Sequence, residues 1–184
     1  MTLVSVNTGL ARTITWNGRR IRTGIFKSAV LGRVALRTLN LDGDRQADLR
    51  VHGGVRKAVY CYPLEHYEFW KAELPGREWP MGSFGENLTT EGLLEDAVRI
   101  GDRFSIGSAE VVVTQPRMPC YKLEAWFQRD DMIKRFLASG RSGFYVSVAQ
   151  EGDVGAGDHI TRIGRGPDEV TVSDVFQLKA AKVS

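Results

Sequence analysis

Short strand-like segments separated by tight turns constrain the fold of this chain more than any other feature. Between residues 97 and 113, three apolar runs rich in β-branched residues are interrupted by turn dipeptides at Gly101-Asp102 and Gly107-Ser108. Residues 13–21 are typical of a β-hairpin, because Asn17-Gly18 supplies the positive φ angles of a type I′ turn. Strands this short, with turns this close together, favour an all-β barrel or sandwich.

The length and composition indicate an ordinary globular protein. A chain of 184 residues favours one domain with its own core. We expect a cytoplasmic protein without a membrane partner, because no apolar run is long enough to span a bilayer and the N-terminus lacks the features of a signal peptide. The formal net charge of +3 suits an anionic ligand. The sequence lacks a dense Lys/Arg block interleaved with aromatic residues, so we do not expect a nucleic-acid polymer as a partner.

A few short helices interrupt the β pattern. Pro63 is well placed to open a helix that continues to Leu74, and two further short helices are predicted over residues 122–128 and 130–137. We expect His66, which lies between two acidic residues, to be a solvated surface residue. Cys61 lies in the strand-like run before Pro63, facing away from its tyrosine neighbours, and is interpreted as a packing residue.

A rigid corner precedes the second cysteine, Cys120. The strand-like run ending at residue 115 is followed by Pro116 and Pro119, which fix the backbone and force a turn. Cys120 then stands at a predicted helix start, close in sequence to Arg117 and Lys122, and such an electropositive setting favours thiolates in general. A thiolate can ligate molybdenum, copper or zinc, or take part in sulfur transfer. Simple packing of a small buried residue is the alternative.

Two loops carry further candidate residues. In the first loop, His52-Gly53-Gly54 is followed closely by Lys57, so exposed backbone amides and a cation could hold a phosphate. Taken by itself, this segment is a weak signal, and a plain tight turn is the better explanation of the glycines until the other motifs are counted. The second loop, residues 76–92, contains Glu86 and Asn87. An Asn side chain both donates and accepts hydrogen bonds, so Asn87 could contact the amide edge of a ligand. A capped turn is the alternative for this loop.

Three segments together resemble a known family. Residues 52–60, 85–88 and 115–123 are similar, in the expected order, to the motifs of the MOSC domain family, named for the C-terminal domain of molybdenum cofactor sulfurases. The similarity spans roughly residues 3–175 and is strongest to standalone bacterial MOSC proteins associated with resistance to N-hydroxylated purines. It implies a mostly β fold, a distorted β-barrel with a few short helices, over residues 1–165. Residues 166–184 would be a C-terminal tail, the truncated start of a helical appendix.

The same resemblance implies a pyranopterin molybdenum cofactor and a set of residues that hold it. Cys120 would be the catalytic residue and the metal ligand. The expected cofactor-binding residues are Lys57 and Arg117 as cationic partners, Asn87 as a pterin contact, and Glu86, His52, Gly53 and Gly54 in the same pocket. The implied activity is reduction of N-hydroxylated compounds, such as N-hydroxylated nucleobases, at the metal. Pyridoxal phosphate binding is a further association of the family.

The expected partners follow from what this reaction needs. The sequence has neither the cysteine set of an iron–sulfur cluster nor a Gly-x-Gly-x-x-Gly flavin or nicotinamide motif, so a separate electron-donating reductase is expected beside a small N-hydroxylated substrate. A surface that a complete appendix would cover could support a homodimer. Two alternatives stay open: Cys120 could carry a persulfide as a sulfur carrier, or the chain could carry the cofactor without catalysis.

Overall fold

The computed structural model describes residues 1–45 and 53–183, and this part of the chain is mostly β. The strands are β1 (Thr2–Thr8), β2 (Arg12–Trp16), β3 (Arg19–Thr23), β4 (Ser28–Ala29), β5 (Arg33–Leu36), β6 (Val59–Pro63), β7 (Leu88–Glu91), β8 (Arg103–Ile106), β9 (Ala109–Pro116), β10 (Phe144–Gln150), β11 (Gly152–Gly155) and β12 (Ile160–Gly164). The helices are α1 (His66–Glu73), α2 (Tyr121–Phe127), α3 (Met132–Ser139) and α4 (Val172–Ala180), with a 3-10 turn at Val55–Lys57.

Eight strands form one curled sheet in the order β12-β8-β9-β10-β6-β7-β1-β4. Its ladders are antiparallel except for β6 and β7, which run parallel. The order has two free ends, so no ladder between described strands closes the sheet into a complete barrel. The curl nevertheless brings Thr2 of β1 into a bridge with His159, next to β12. The prediction of a mostly β, distorted barrel with a few short helices is confirmed, and the distortion is this incomplete closure.

Two small two-stranded sheets flank the main sheet. β2 and β3 form the predicted hairpin, with φ angles of 47° at Asn17 and 72° at Gly18 that fit the predicted turn. β5 pairs with β11. β5 ends at Leu36, and Leu36 forms an isolated bridge with Leu41.

Strand β6 separates two hydrophobic clusters. Cys61 is 2% exposed and packs with the aliphatic side chains inside the curled sheet. Tyr60 and Tyr62 point to the opposite side, into a second cluster that is rich in aromatic residues. The alternation predicted for this strand is therefore confirmed, and so is the packing role of Cys61.

The predicted helices are present within a few residues of their expected bounds, but the prediction for His66 is wrong. Its ring is buried, with 8% of the residue exposed, and Nε2 lies 2.7 Å from the Glu95 carboxylate. Glu95 also accepts a hydrogen bond of 2.6 Å from the backbone of Gly143. Acidic neighbours in sequence suggested a solvated residue, whereas the fold supplies a buried partner 29 positions away.

Helix α4 packs on the body of the fold. Thr171 and Asp174 form a reciprocal capping box at its start. Val172 and Phe176 are fully buried, and the Val172 amide donates to the carbonyl of Val98 at 2.9 Å. The division of the chain at residue 165 stays a prediction. Among the described residues, no helix combines the length and apolar character needed to cross a membrane.

Candidate functional site

An open cleft of about 660 Å³ lies where β3 ends, beside the loop before β7 and the corner before α2. The cleft brings together six separated parts of the chain, and it contains four of the predicted site residues: Lys57, Asn87, Arg117 and Cys120.

The lining is strongly cationic. Its one acidic residue among those described is Asp44. Its five basic residues are Lys27, Arg45, Lys57, Arg117 and Lys122. Such an excess of positive charge at a concave surface attracts anions and raises their local concentration.

Cys120 stands at the N-cap position of α2, with extended backbone angles of φ −141° and ψ 171°. Its residue is half-buried, and neither it nor Cys61 forms a disulfide. Charge on the Cys120 sulfur would raise the pKa of Lys57, opposing the larger effects of burial and of Lys179, which lower it. The thiol and the Lys57 ammonium group are therefore close enough to interact electrostatically. The corner predicted from the two prolines does place a thiol in a cationic cleft.

Arg117 is the most unusual of the cations. It is 7% exposed, and its guanidinium group lies over the rings of Tyr60 and Phe136, 5.2 Å from each centroid. Its Nη1 atom is buried without a hydrogen-bond partner in the described part of the chain. A buried charged donor without a hydrogen-bond partner costs free energy. An anionic group in the cleft that accepts a hydrogen bond from Nη1 would remove this cost.

Lys122 adds a second buried cation to the lining. It is 9% exposed, and no carboxylate within residues 1–45 and 53–183 forms an ion pair with it. Lysine side chains are almost never this buried without compensation. Lys122 lies two residues after Cys120 in the sequence but was not among the predicted site residues, because adjacency in sequence does not show that a side chain is buried.

Asn87 lines the cleft as a member of a hydrogen-bond network. Its Nδ2 donates to Asp44 Oδ2 at 3.0 Å and, more weakly, to the Asn7 carbonyl at 3.4 Å. Its Oδ1 accepts from the backbone of Tyr60 at 3.1 Å. Asp44 in turn forms a 2.5 Å ion pair with Lys27. Because both amide hydrogens already have partners, the structure gives Asn87 a positioning role, and a direct contact with a pterin stays a prediction.

Glu86 does not line the cleft. It is fully buried, and its carboxylate accepts hydrogen bonds from the amides of Gly82 (2.9 Å) and Phe84 (3.0 Å), from the Thr89 hydroxyl (3.0 Å) and from the Tyr67 hydroxyl. Burial raises the pKa of Glu86 despite these donors. The structure places this residue behind the pocket wall, where it organises the loop, so direct cofactor contact stays an untested prediction.

The structure describes Gly53 and Gly54 of the glycine segment, but neither residue is in the lining of the cleft. Gly54 has φ 87° and precedes the 3-10 turn, and its carbonyl accepts from the Lys57 amide at 2.9 Å. Gly53 and Gly54 shape the backbone that leads to Lys57 but are not among the described lining residues. His52 lies outside the described residues.

Several lining residues could not have been found from local motifs. Lys27, Asp44 and Arg45 come from loops far from all three motif segments, and Tyr145 comes from β10. The available signal was weak: an acidic and a basic residue together after the Asp42-Gly43 turn. Only the fold shows that these loops meet the Cys120 corner.

The fold and the cleft define a mostly β protein with a thiol in a cationic cleft. The chain belongs to the MOSC domain family, whose sequence model matches residues 48–161. It is 42% identical to YflK of Bacillus subtilis over 170 residues, which cover 92% of this chain and 76% of YflK. The crystal structure of YiiM from Geobacillus stearothermophilus superposes with a TM-score of 0.80 at 34% identity, covering 98% of this chain and 84% of that one.

A third relative carries a functional name. A protein named "Reductase" from Gibberella moniliformis is 32% identical over 168 residues, which cover 90% of this chain but 30% of that protein. The MOSC domain family is associated with the molybdenum cofactor, and the cationic cleft of this chain is consistent with such a function.

Proposed function

We propose that this chain binds an anionic pterin-type molybdenum cofactor in the cleft and reduces N-hydroxylated compounds there. The observation that carries the proposal is the buried Nη1 of Arg117, which lacks a partner among the described residues and belongs to the same cleft as the Cys120 thiol. The reductase homologue supports the redox part of the proposal.

The residues present fit such a group. An anionic cofactor would be met by the cations Lys57, Arg117 and Lys122, which all line the cleft. Charge-assisted hydrogen bonds from these donors are the strong kind. Cys120 offers a thiol in the lining, and thiolate sulfur is a ligand that suits a soft metal centre.

Several residues of the cleft can be assigned a role in the reduction of an N–OH group. Reduction of an N–OH group to N–H releases the oxygen as water and consumes two electrons and two protons. When bound, the cofactor would supply a metal centre that can change oxidation state. Cys120 would hold that metal, Arg117 and Lys122 would hold anionic groups, and the Asp44–Asn87 network would keep the wall in place. Burial lowers the pKa of Lys57, which makes its Nζ a better proton donor than a solvated lysine amine.

The electrons must come from outside the chain. We propose a separate reductase as the electron donor, since the two cysteines of the chain are too few to ligate an iron–sulfur cluster. The substrate would be a small N-hydroxylated molecule, such as an N-hydroxylated nucleobase. Homodimer formation and a cytoplasmic location are further parts of this proposal.

The test begins with the protein purified from a host that makes the cofactor. We expect molybdenum and pterin near one per chain, and formation of the amine from 6-hydroxylaminopurine when a reduced donor is added. Cys120→Ser should abolish turnover, whereas Cys61→Ser should keep it in the folded fraction. Chains without molybdenum that carry a sulfane sulfur on Cys120, found as one extra sulfur after alkylation, would replace this proposal with sulfur transfer.

A further inference from the structure

The β2–β3 hairpin offers a surface that the cleft does not use. Successive residues of a strand face opposite sides, so the inner face carries the pair Ile14 and Ile21, with Ile21 only 8% exposed. The outer face consists of exposed hydrogen-bond donors: Thr13, Thr15, Arg20 and Arg22. Register places Thr13 opposite Arg22 and Thr15 opposite Arg20, which makes one continuous donor surface.

The hairpin concentrates positive charge. Residues 12–23 contain four arginines and no acidic residue, although the whole chain carries a formal net charge of only +3. No carboxylate in the described ranges forms an ion pair with Arg20 or Arg22. At the turn of the hairpin, Asn17 Nδ2 donates a hydrogen bond to Asp130 Oδ1 at 3.3 Å. Arginines that have no intramolecular partner are available to an external anion.

The hairpin also stands next to the cleft. Thr23, the last residue of β3, lines the cleft together with Gly24 and Ile25. A strand rises about 3.3 Å per residue, so Arg20 lies roughly 10 Å along the strand from that wall. A macromolecule held on the outer face would therefore sit beside the candidate site.

We infer that the outer face of the hairpin docks the acidic surface of the electron-donating protein. The inference rests on the proposed reductase function, because each N–O bond reduced draws two electrons from the donor, which is itself oxidised by two electrons. Guanidinium groups bind carboxylates in a bidentate manner, and a cluster of them steers an acidic partner toward the surface. The outer face has no aromatic residue for base stacking, since Trp16 belongs to the inner face, and this favours an acidic protein over single-stranded nucleic acid.

The test uses flavodoxin, a small acidic electron-transfer protein, as the probe. Arg20→Glu with Arg22→Glu reverses the charge of the outer face, and Lys134→Glu with Lys182→Glu makes the same charge change at exposed residues outside the hairpin. At about 50 mM salt, we expect the KM for reduced flavodoxin to rise at least tenfold in the arginine variant only, and the difference to shrink at about 0.5 M salt. Rates with reduced methyl viologen, a small donor that needs no docking, should equal those of the unmodified chain.

Binding gives a result that does not need turnover. Calorimetric titration of each full-length variant with oxidised flavodoxin should show the same loss of affinity in the arginine variant alone. If that loss is found but no donor supports amine formation, docking stands and the reductase function falls. Three outcomes would each overturn the inference. These are equal affinities in the arginine and lysine variants, no flavodoxin binding to the unmodified chain, and preferential binding of a DNA duplex through the arginines.

Discussion

At the scale of single residues, the two thiols of the chain lie in opposite environments. Cys61 is 2% exposed on β6, whereas Cys120 is half-buried at the cleft. We expect iodoacetamide at about pH 7.5 to modify Cys120 in native protein that lacks cofactor, and to reach Cys61 only after unfolding. Peptide mass spectrometry measures both sites. Native protein in which Cys61 reacts first would contradict this assignment of roles.

Cys61 should also make stability depend on alkaline pH. Burial raises the pKa of its thiol from 9.0 to about 12. As the pH rises from 9 toward 12, the unfolded chain loses this proton while the native chain keeps it, so the free energy of unfolding falls over that window. Urea denaturation on both sides of pH 9 should show a smaller fall in Cys61→Ala, which lacks this group. Equal slopes in the two proteins would exclude a contribution from Cys61.

Arg117 should be more important for ligand retention than for stability. Arg117→Met keeps much of the packing on Tyr60 and removes an unsatisfied buried donor, so unfolding of the cofactor-free protein should change by less than about 1 kcal/mol. Loss of a charge-assisted contact worth roughly 1.5–3 kcal/mol should lower cofactor retention by about one to two orders of magnitude. Cofactor retention is measured as the amount of molybdenum per chain after dialysis. Arg103→Met, at an exposed ion pair outside the cleft, is the control and should retain cofactor normally.

At the scale of elements, the loop before β7 depends on one buried carboxylate. In Glu86→Gln, either orientation of the new amide would present hydrogens to a backbone amide that already donates, Gly82 in one orientation and Phe84 in the other. We expect a loss of about 1–3 kcal/mol in the free energy of unfolding. The exposed Glu169→Gln should stay within about 0.5 kcal/mol of the unmodified chain. Chemical denaturation tests both, and equal midpoints would show that the loop does not need the Glu86 charge.

The elements were predictable to the extent that their causes are local. The β2–β3 turn follows from Asn17-Gly18, and the corner before α2 follows from Pro116 and Pro119. The environment of Glu86 was not predictable, because its partners include Tyr67, 19 positions away. The same limit applies to the cleft: local motifs indicated Cys120, but only the tertiary fold brings the loop residues before β6 to it.

At the scale of the whole molecule, α4 joins the two hydrophobic clusters. Val172 packs in the aliphatic cluster inside the sheet, whereas Phe176, one turn later, packs in the aromatic cluster beneath the cleft. Phe84 belongs to that aromatic cluster and also lines the cleft. The last helix is therefore coupled through continuous packing to the wall of the candidate site.

This arrangement predicts that α4 contributes to global stability and not only to local structure. Phe176 is fully buried, so Phe176→Ala should cost about 3–5 kcal/mol and should keep one cooperative transition. Leu178 on the same helix is 66% exposed, and Leu178→Ala should change stability by less than about 0.5 kcal/mol. Guanidinium denaturation followed by both circular dichroism and tryptophan fluorescence measures the two variants. A loss below about 1 kcal/mol in Phe176→Ala, or a separate early transition, would show that α4 unfolds independently of the sheet.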